Sequence, residues 1–150
     1  MADTFRITRA AYLESLGDFR RFLKEHCTGK PAVTEQVLYD LQLAVDEACT
    51  NIITHGYADM DPGSIILDLE LTPNQIVITL TDFGHSFEPD NAPIPDIEAP
   101  IEERALGGFG LFFIQQSVDH MDYKVTEDGN KMILTKRLSE EAEHEDRSKA

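Results

Sequence analysis

Residues 46–57 read DEACTNIITHGY and are the most informative segment of the chain. They end a stretch from Val37 in which apolar residues recur every three or four positions, the period of a helix that buries one face. Glu47 and Asn51 are four residues apart, so their side chains lie on one side of that helix, one turn apart. A carboxylate can take a proton, and an amide oxygen can bind a hard cation such as Mg²⁺. An exposed polar pair on a helix has the same pattern, so the pair alone does not distinguish a functional site from an ordinary solvated helix face.

A second motif, Asp82-Phe83-Gly84, follows an alternating strand pattern. A carboxylate at a strand end can accept a hydrogen bond from an amino group such as adenine N6, and Gly84 lets the backbone approach a flat base closely. An ordinary turn after a strand also uses Asp and Gly. The triplet is not that of a protein kinase, which requires a strand lysine upstream, because no lysine lies between Lys30 and Asp82.

A third motif is a run of glycines at the predicted start of a helix, GGFGL at residues 107–111. Free backbone N–H groups at a helix N-terminus form an anion site that the helix dipole strengthens. Neither the P-loop pattern nor the strand-first pattern of a dinucleotide fold is present. A glycine-rich hinge remains the alternative.

The pattern along the chain predicts the order β-α-α-β-β-lid-α-β-β. Because most strands come as hairpins, we expect an α+β two-layer sandwich, a mixed but mostly antiparallel sheet with helices on one face. Residues 85–106 have no amphipathic period and are predicted to form a flexible lid. Residues 1–138 would form one domain, and residues 139–150 a charged, disordered tail. The predicted elements are a strand near Phe5–Ile7, helices over 12–27, 34–56 and 107–120, and strands over 64–71, 75–81, 122–127 and 131–137.

The charge of the chain is concentrated in its middle. The 150 residues carry 13 Lys+Arg and 28 Asp+Glu, a net charge of -15, and residues 31–103 contain 15 acids and no Lys or Arg. Binding of nucleic acid is disfavoured, because it needs a basic footprint. No apolar run is long enough to span a membrane, no signal peptide is visible, and the two cysteines lack metal spacing. We therefore expect a cytoplasmic protein with free thiols.

Together the three motifs resemble those of the Bergerat-fold (GHKL) ATPases. Residues 46–57 resemble the N box, Asp82-x-Gly84 the G1 box, and Gly108-x-Gly110-Leu111 the G2 box. The size, the His-Gly-Tyr ending of the N box and the closing segment 134–138 are most similar to bacterial anti-sigma-factor serine/threonine kinases. The resemblance covers about residues 5–138. The sequence departs from the family at Ser86, where many members have a second G1 glycine, and at Lys131, where a threonine is common.

The resemblance implies ATP and Mg²⁺ as ligands and a role for each motif residue. Glu47 would be the general base that accepts a proton from a serine, and Asn51 would bind Mg²⁺. Asp82 would bind adenine N6 above Gly84. The remaining nucleotide-binding residues would be Gly107, Gly108, Phe109, Gly110 and Leu111. Arg104, the first base after the acidic stretch, is a candidate catalytic contact to the γ-phosphate, and a solvated lid arginine is the alternative.

The resemblance also implies protein partners. The chain would phosphorylate a STAS-type anti-anti-sigma factor, sequester a sigma factor and form a homodimer. A basic cluster of Arg20, Arg21 and Lys24 on the first helix is either a docking patch for an acidic partner or a solvated face. Two other functions stay open: a non-catalytic ATP-binding module that holds a partner, and a fragment of a larger machine such as a histidine kinase.

Overall fold

The computed structural model describes residues 2–86 and 113–138. A short 3₁₀ turn (Leu13–Ser15) precedes the first helix, a π-helical turn (Ile52–Gly56) continues the second, and residues 113–117 are also helical. The main elements are β1 (Asp3–Ala10), α1 (Leu16–Cys27), α2 (Glu35–Asn51), β2 (Ser64–Leu71), β3 (Gln75–Asp82), β4 (His120–Thr126) and β5 (Gly129–Arg137).

The five strands form one sheet in the order β1-β2-β3-β5-β4. All four pairings are antiparallel. The predicted α+β sandwich with a mostly antiparallel sheet is therefore confirmed, but the described strands include no parallel pair that would make the sheet mixed. The helical connection from β1 returns the chain beside β1 in the opposite direction, whereas β4, which follows the long connection after β3, runs in the same direction as β3 but is separated from it by β5.

Helices α1 and α2 bury their apolar faces against one side of this sheet. The side chain of Thr34 caps α2 by accepting a hydrogen bond from the Val37 N–H group (3.1 Å), as its position in the sequence predicts. The facing side chains of the two helices are buried. They include Phe19 and Leu23 of α1 and Leu41, Val45 and Ala48 of α2.

Alternation along β3 directs Asp82 toward the helices. Ile76, Ile78 and Leu80 are fully buried on the helix-facing side, and Asp82, two residues further, continues this row with 3% of its surface exposed. Because side chains two apart on a strand share a face, the carboxylate of Asp82 points into the helix layer. The end of β3 therefore places a buried acid beside the end of α2.

The helix predicted over residues 107–120 ends earlier than expected. The described helical residues are 113–117, and β4 begins at His120, which pairs with Thr135 of β5. The Asp119 N–H group already donates to the Thr135 carbonyl (2.9 Å), so pairing with β5 ends the helix. The Lys136 ammonium joins the carbonyl of Ser117 (3.1 Å) to the carboxylate of Asp40 on α2 (3.2 Å) and fixes the helix end.

Most of the predicted lid and all of the predicted tail lie outside the described residues. Only residues 85 and 86 of the predicted lid and none of the predicted tail are described. Leu138, the last described residue, belongs to the hydrophobic core. Within the described residues, no helix combines the length and apolar character needed to cross a membrane. Both cysteines, Cys27 and Cys49, are buried free thiols.

Candidate nucleotide site

The carboxylate of Asp82 is held by two donors on one of its oxygens. Oδ1 accepts the N–H group of Gly84 (3.0 Å) and the side-chain amide of Asn130 (3.1 Å). Oδ2 has no hydrogen-bond partner among the described residues. At the end of β3, Asp82 therefore keeps one carboxylate oxygen that accepts no hydrogen bond from a described residue.

The backbone of the G1 motif lies directly against the end of the π-helical turn. A Cβ atom added to Gly84 would lie 2.2 Å from the carbonyl oxygen of Gly56 and 2.6 Å from its carbonyl carbon. The His85 N–H group donates to the same carbonyl. Only glycine fits this contact. The wide π turn, a conformation that often occurs at functional sites, thus brings residue 56 against the end of β3.

Replacement of Gly84 by alanine is expected to destabilise the fold by about 1–3 kcal/mol, because the clash is with backbone that cannot rotate away. The variant should also lose nucleotide affinity, since Asp82 and its donor Gly84 must move away from Gly56 in the π-helical turn. Urea unfolding and nucleotide titration measure the two effects. Gly17→Ala is the matched control: its new Cβ would meet nothing closer than 3.7 Å, and alanine favours the helix. Equal stability of the two variants would contradict the prediction.

Tyr57 connects the three backbone segments around Asp82. Its hydroxyl donates to the carbonyl of Ser64 at the start of β2 (2.8 Å) and accepts the N–H group of Phe83 at the end of β3 (2.9 Å). The residue itself follows the π-helical turn and is 5% exposed. The sequence predicts Tyr57 to be a packing and helix-end residue of the N box, and the structure shows in addition that it holds the G1 segment in place.

Burial dominates the electrostatics of the site. It raises the pKa of Asp82 above its ordinary value, although the hydrogen bonds from Asn130 and Gly84 act in the opposite direction. Burial also raises the pKa of the Cys49 thiol, and the nearby carboxylates of Asp46 and Asp82 raise it further. Cys49 lies between Glu47 and Asn51 on α2. Its interaction with Asp82 shows that the N-box helix and the G1 carboxylate share one environment.

The raised pKa of Asp82 predicts how stability depends on pH. The folded state is penalised for ionising this group, so the penalty is absent below the unfolded-state pKa of about 3.9 and complete above the folded-state pKa. Asp82→Asn should therefore stabilise the protein at pH 7, and the gain should vanish near pH 4. Urea unfolding at both pH values checks this, with the exposed turn residue Asp128→Asn as control. A gain that grows as the pH falls would contradict the prediction.

The predicted catalytic and metal-binding side chains of α2 have no partner in the part of the chain that the structure describes. Glu47 is half-buried and makes no hydrogen bond or ion pair with any described residue. Asn51 is only 9% exposed, yet its amide also has no hydrogen-bond partner there. An amide that bonds no described residue fits a ligand-binding role. The described residues include no cluster of three His, Cys, Asp or Glu side chains that could hold a metal.

The basic cluster on α1 is largely neutralised by neighbouring acids. The Arg20 guanidinium donates to both carboxylate oxygens of Asp46 (3.1 and 3.0 Å), one residue before Glu47. Arg21 pairs with Asp18. Lys24 is exposed and has no ion pair within the described part of the chain. The Arg20–Asp46 pair also explains why the sequence places an acid inside the apolar pattern of α2.

The structure adds Asn130 to the site and leaves several predicted residues untested. The sequence singled out Lys131 near the start of the last strand, but Lys131 pairs with Thr81, and Asn130 is the residue opposite Asp82. No local sequence signal identifies Asn130, because its contact with Asp82 joins β3 to β5, 48 residues away. The remaining predicted site residues lie outside the described residues: Arg104, Gly107, Gly108, Phe109, Gly110 and Leu111.

Helices on one face of an antiparallel sheet, with an acid at a strand end held against the N-box helix, define the Bergerat type of ATP-binding fold. Residues 10–136 match the family model of the histidine kinase-like ATPase domain. Because the match covers most of the chain, the protein belongs to the histidine kinase-like ATPase family.

Sequence relatives include bacterial serine-protein kinases named RsbW. The chain is 35% identical over 108 residues to RsbW of Oceanobacillus iheyensis, covering 68% of this chain and 66% of the relative. It is 32% identical over 106 residues to RsbW of Bacillus thuringiensis, covering 68% of this chain and 65% of the relative. The matched segment thus spans slightly less than two thirds of the length of these relatives.

Two solved structures share the fold at low sequence identity. The RsbU and RsbW domains of a Mycobacterium tuberculosis protein align with a TM-score of 0.64 and 19% identity over 91% of this chain and 32% of that one. A blue-light activated histidine kinase of Erythrobacter litoralis aligns with a TM-score of 0.53 and 19% identity, covering 84% of this chain and 60% of that one. These similarities support the fold alone.

Proposed function

We propose that the protein is a Mg²⁺-ATP-dependent serine/threonine kinase that acts on a protein substrate. The observation that carries the proposal is the pair of Glu47 and Asn51, one helical turn apart: neither side chain bonds a described residue, and Asn51 is only 9% exposed. A purely structural helix face would pair or fully expose such groups. Kinship with RsbW serine-protein kinases supports the same reaction.

In the proposed reaction the residues of this chain have separate tasks. Asp82 accepts a hydrogen bond from the amino group of adenine through its Oδ2 atom. The Asn51 amide oxygen would hold Mg²⁺, and the ion would supply positive charge to the triphosphate. Glu47 accepts the proton of the substrate hydroxyl. The hydroxyl oxygen forms a bond to the γ-phosphorus as the bond between the γ-phosphorus and the β,γ-bridging oxygen breaks. The products are a phosphoprotein and ADP.

The glycine run and the lid arginine complete the proposed site. We assign the backbone N–H groups of Gly107, Gly108 and Gly110 to the phosphates, and Arg104 to the γ-phosphate, on the basis of the family resemblance and of helix N-terminal anion binding. An Arg104→Ala variant that keeps both ATP affinity and phosphate transfer would remove Arg104 from the mechanism.

The proposed substrate is a STAS-type anti-anti-sigma factor, and the proposed second partner is a sigma factor that this protein sequesters as a homodimer in the cytoplasm. RsbW kinases are the relatives that suggest this assignment. The α1 surface of Arg20, Arg21 and Lys24 is the proposed docking site for an acidic partner. Since Arg20 is bonded to Asp46, docking through Arg20 would compete with that ion pair.

The test of the kinase proposal is transfer of label from [γ-³²P]ATP to a STAS partner recovered by pull-down with and without ATP. We expect a labelled serine or threonine on the partner and ADP in equal amount. If ATP binds but no label is transferred, the kinase assignment is wrong and the protein is an ATP-dependent binding module. Arg20→Glu should weaken complex formation without weakening ATP binding; unchanged complex formation would exclude the α1 surface.

A further inference from the structure

Asn130 is buried opposite Asp82 and uses both of its amide hydrogens. The residue is 5% exposed, and its register partner on β3 is Asp82. Its Nδ2 atom donates to Oδ1 of Asp82 (3.1 Å) and to the carbonyl oxygen of Gly84 (2.9 Å). A flipped amide would place its oxygen against two acceptors, so the hydrogen bonds define one orientation.

The conformation of Gly129, in the turn before Asn130, allows Asn130 to reach Asp82. Gly129 has a φ of 121°, a conformation that side-chain-bearing residues rarely adopt. A Cβ there would lie 2.7 Å from the carbonyl oxygen of Asp82. The close approach of the two strands therefore depends on Gly129, and it places the amide of Asn130 within reach of both Asp82 and Gly84.

The two donors on Oδ1 determine which atom faces a ligand. Gly84 N–H and Asn130 Nδ2 together saturate Oδ1 of Asp82, whereas Oδ2 accepts no hydrogen bond from the part of the chain that the structure describes. The amide of Asn130 has no hydrogen left to offer. The end of β3 therefore presents acceptors and no side-chain donor from this pair to an incoming base edge.

We propose that Asn130 is a positioning residue that makes the site selective for a 6-aminopurine by holding Asp82 with Oδ2 toward the base. This inference rests on the proposed function, in which Asp82 recognises the nucleotide base. Adenine offers an amino hydrogen to Oδ2, whereas guanine would place its carbonyl oxygen against it. Without Asn130, the carboxyl group can rotate, and a protonated Asp82 could donate to a carbonyl.

The groups packed around Asp82 do not replace Asn130 in this role. Cys49 faces it from α2 and Tyr57 from the end of the π-helical turn, and burial raises the pKa of both. Both are therefore neutral at pH 7. The register partner of Asp82 on β2 is the apolar Ile65. Asn130 is the side chain that opposes the effect of burial on the pKa of Asp82.

A thermodynamic cycle between protein and ligand tests the proposal. Dissociation constants of the full chain are measured with Mg²⁺ for ATP and for purine ribonucleoside triphosphate, which carries hydrogen in place of the amino group. Wild type should prefer ATP by about tenfold or more, the usual effect of a hydrogen bond to a charged group. Asn130→Ala should lose most of this preference, because ATP binding weakens and analogue binding does not.

The controls separate positioning from folding. Asn74→Ala, in the turn at the other end of β3, should keep the wild-type preference. Asn130→Thr keeps one donor for Asp82 but cannot also reach Gly84, so its preference should be intermediate, and it replaces the alanine variant if that one does not fold. Equal weakening of both ligands by the Asn130 variants would overturn the positioning role. If wild type itself does not distinguish the ligands, the assignment of Asp82 to adenine is overturned as well.

Discussion

Glu47→Gln is expected to slow phosphate transfer to the acceptor protein by about 10²–10⁴-fold, the usual contribution of a general base. Glutamine has the same size and helix propensity as glutamate but cannot accept the proton of the acceptor hydroxyl. The side chain makes no hydrogen bond or ion pair with any described residue, so the change leaves no partner unsatisfied. Mg²⁺-ATP affinity and folding stability should therefore stay close to wild type.

The measurement is single-turnover transfer from [γ-³²P]ATP, with nucleotide affinity determined on the same preparations. Glu35→Gln is the matched control, because Glu35 is an exposed residue in the first turn of the same helix. Its transfer rate should equal that of wild type. Wild-type transfer by Glu47→Gln would show that another group takes the proton, and a parallel loss of ATP affinity would show that Glu47 acts in binding.

The sequence predicts the fold best where local pattern and burial agree. The β2–β3 hairpin is an example: in residues 64–71 every second residue from Ile65 is apolar and the others, except Ile66, are polar, and the observed strand has the same bounds. The prediction fails where pairing across the sheet overrides local pattern, as at His120, which starts β4 instead of ending a helix. The π turn after Asn51 has no local signature, because the contact between Gly56 and Gly84 requires it.

The candidate site follows the same division. Glu47, Asn51 and Asp82 can be found from the sequence, because they belong to short motifs with fixed spacing. Asn130 and Tyr57 cannot, since their roles arise from contacts across the sheet: Asn130 bonds a residue 48 positions away, and Tyr57 one 26 positions away. In the sequence, Asn130 is an ordinary turn residue after Asp-Gly.

Removal of Mg²⁺ is expected to weaken ATP binding strongly, because of how the charge of the chain is arranged. Residues 31–103 contain no lysine or arginine, and no described cation pairs with Glu47 or Asp82. The described ion pairs instead join other acids to their neighbours, as Arg20 does with Asp46. A triphosphate at this site would meet acidic surroundings, so its affinity must depend on the cation that it brings with it.

Asn51→Ala should reproduce part of the loss caused by chelation. The variant removes the proposed protein ligand of Mg²⁺ from a residue whose amide has no other described partner, so the fold should tolerate the change. We expect ATP affinity in Mg²⁺ to fall about tenfold or more, and the additional effect of EDTA to be smaller than in wild type. A variant with full affinity and full Mg²⁺ dependence would place the ion on other groups.

The most direct test is the affinity of the wild-type protein for ATP, measured by calorimetry in excess Mg²⁺ and again in excess EDTA. Adenosine serves as the control ligand, since it has the base that Asp82 would bind but no phosphates. We predict that EDTA weakens ATP binding by about 100-fold or more, equivalent to roughly 2.7 kcal/mol, and leaves adenosine binding unchanged. ATP affinity that survives chelation would contradict this account of the site.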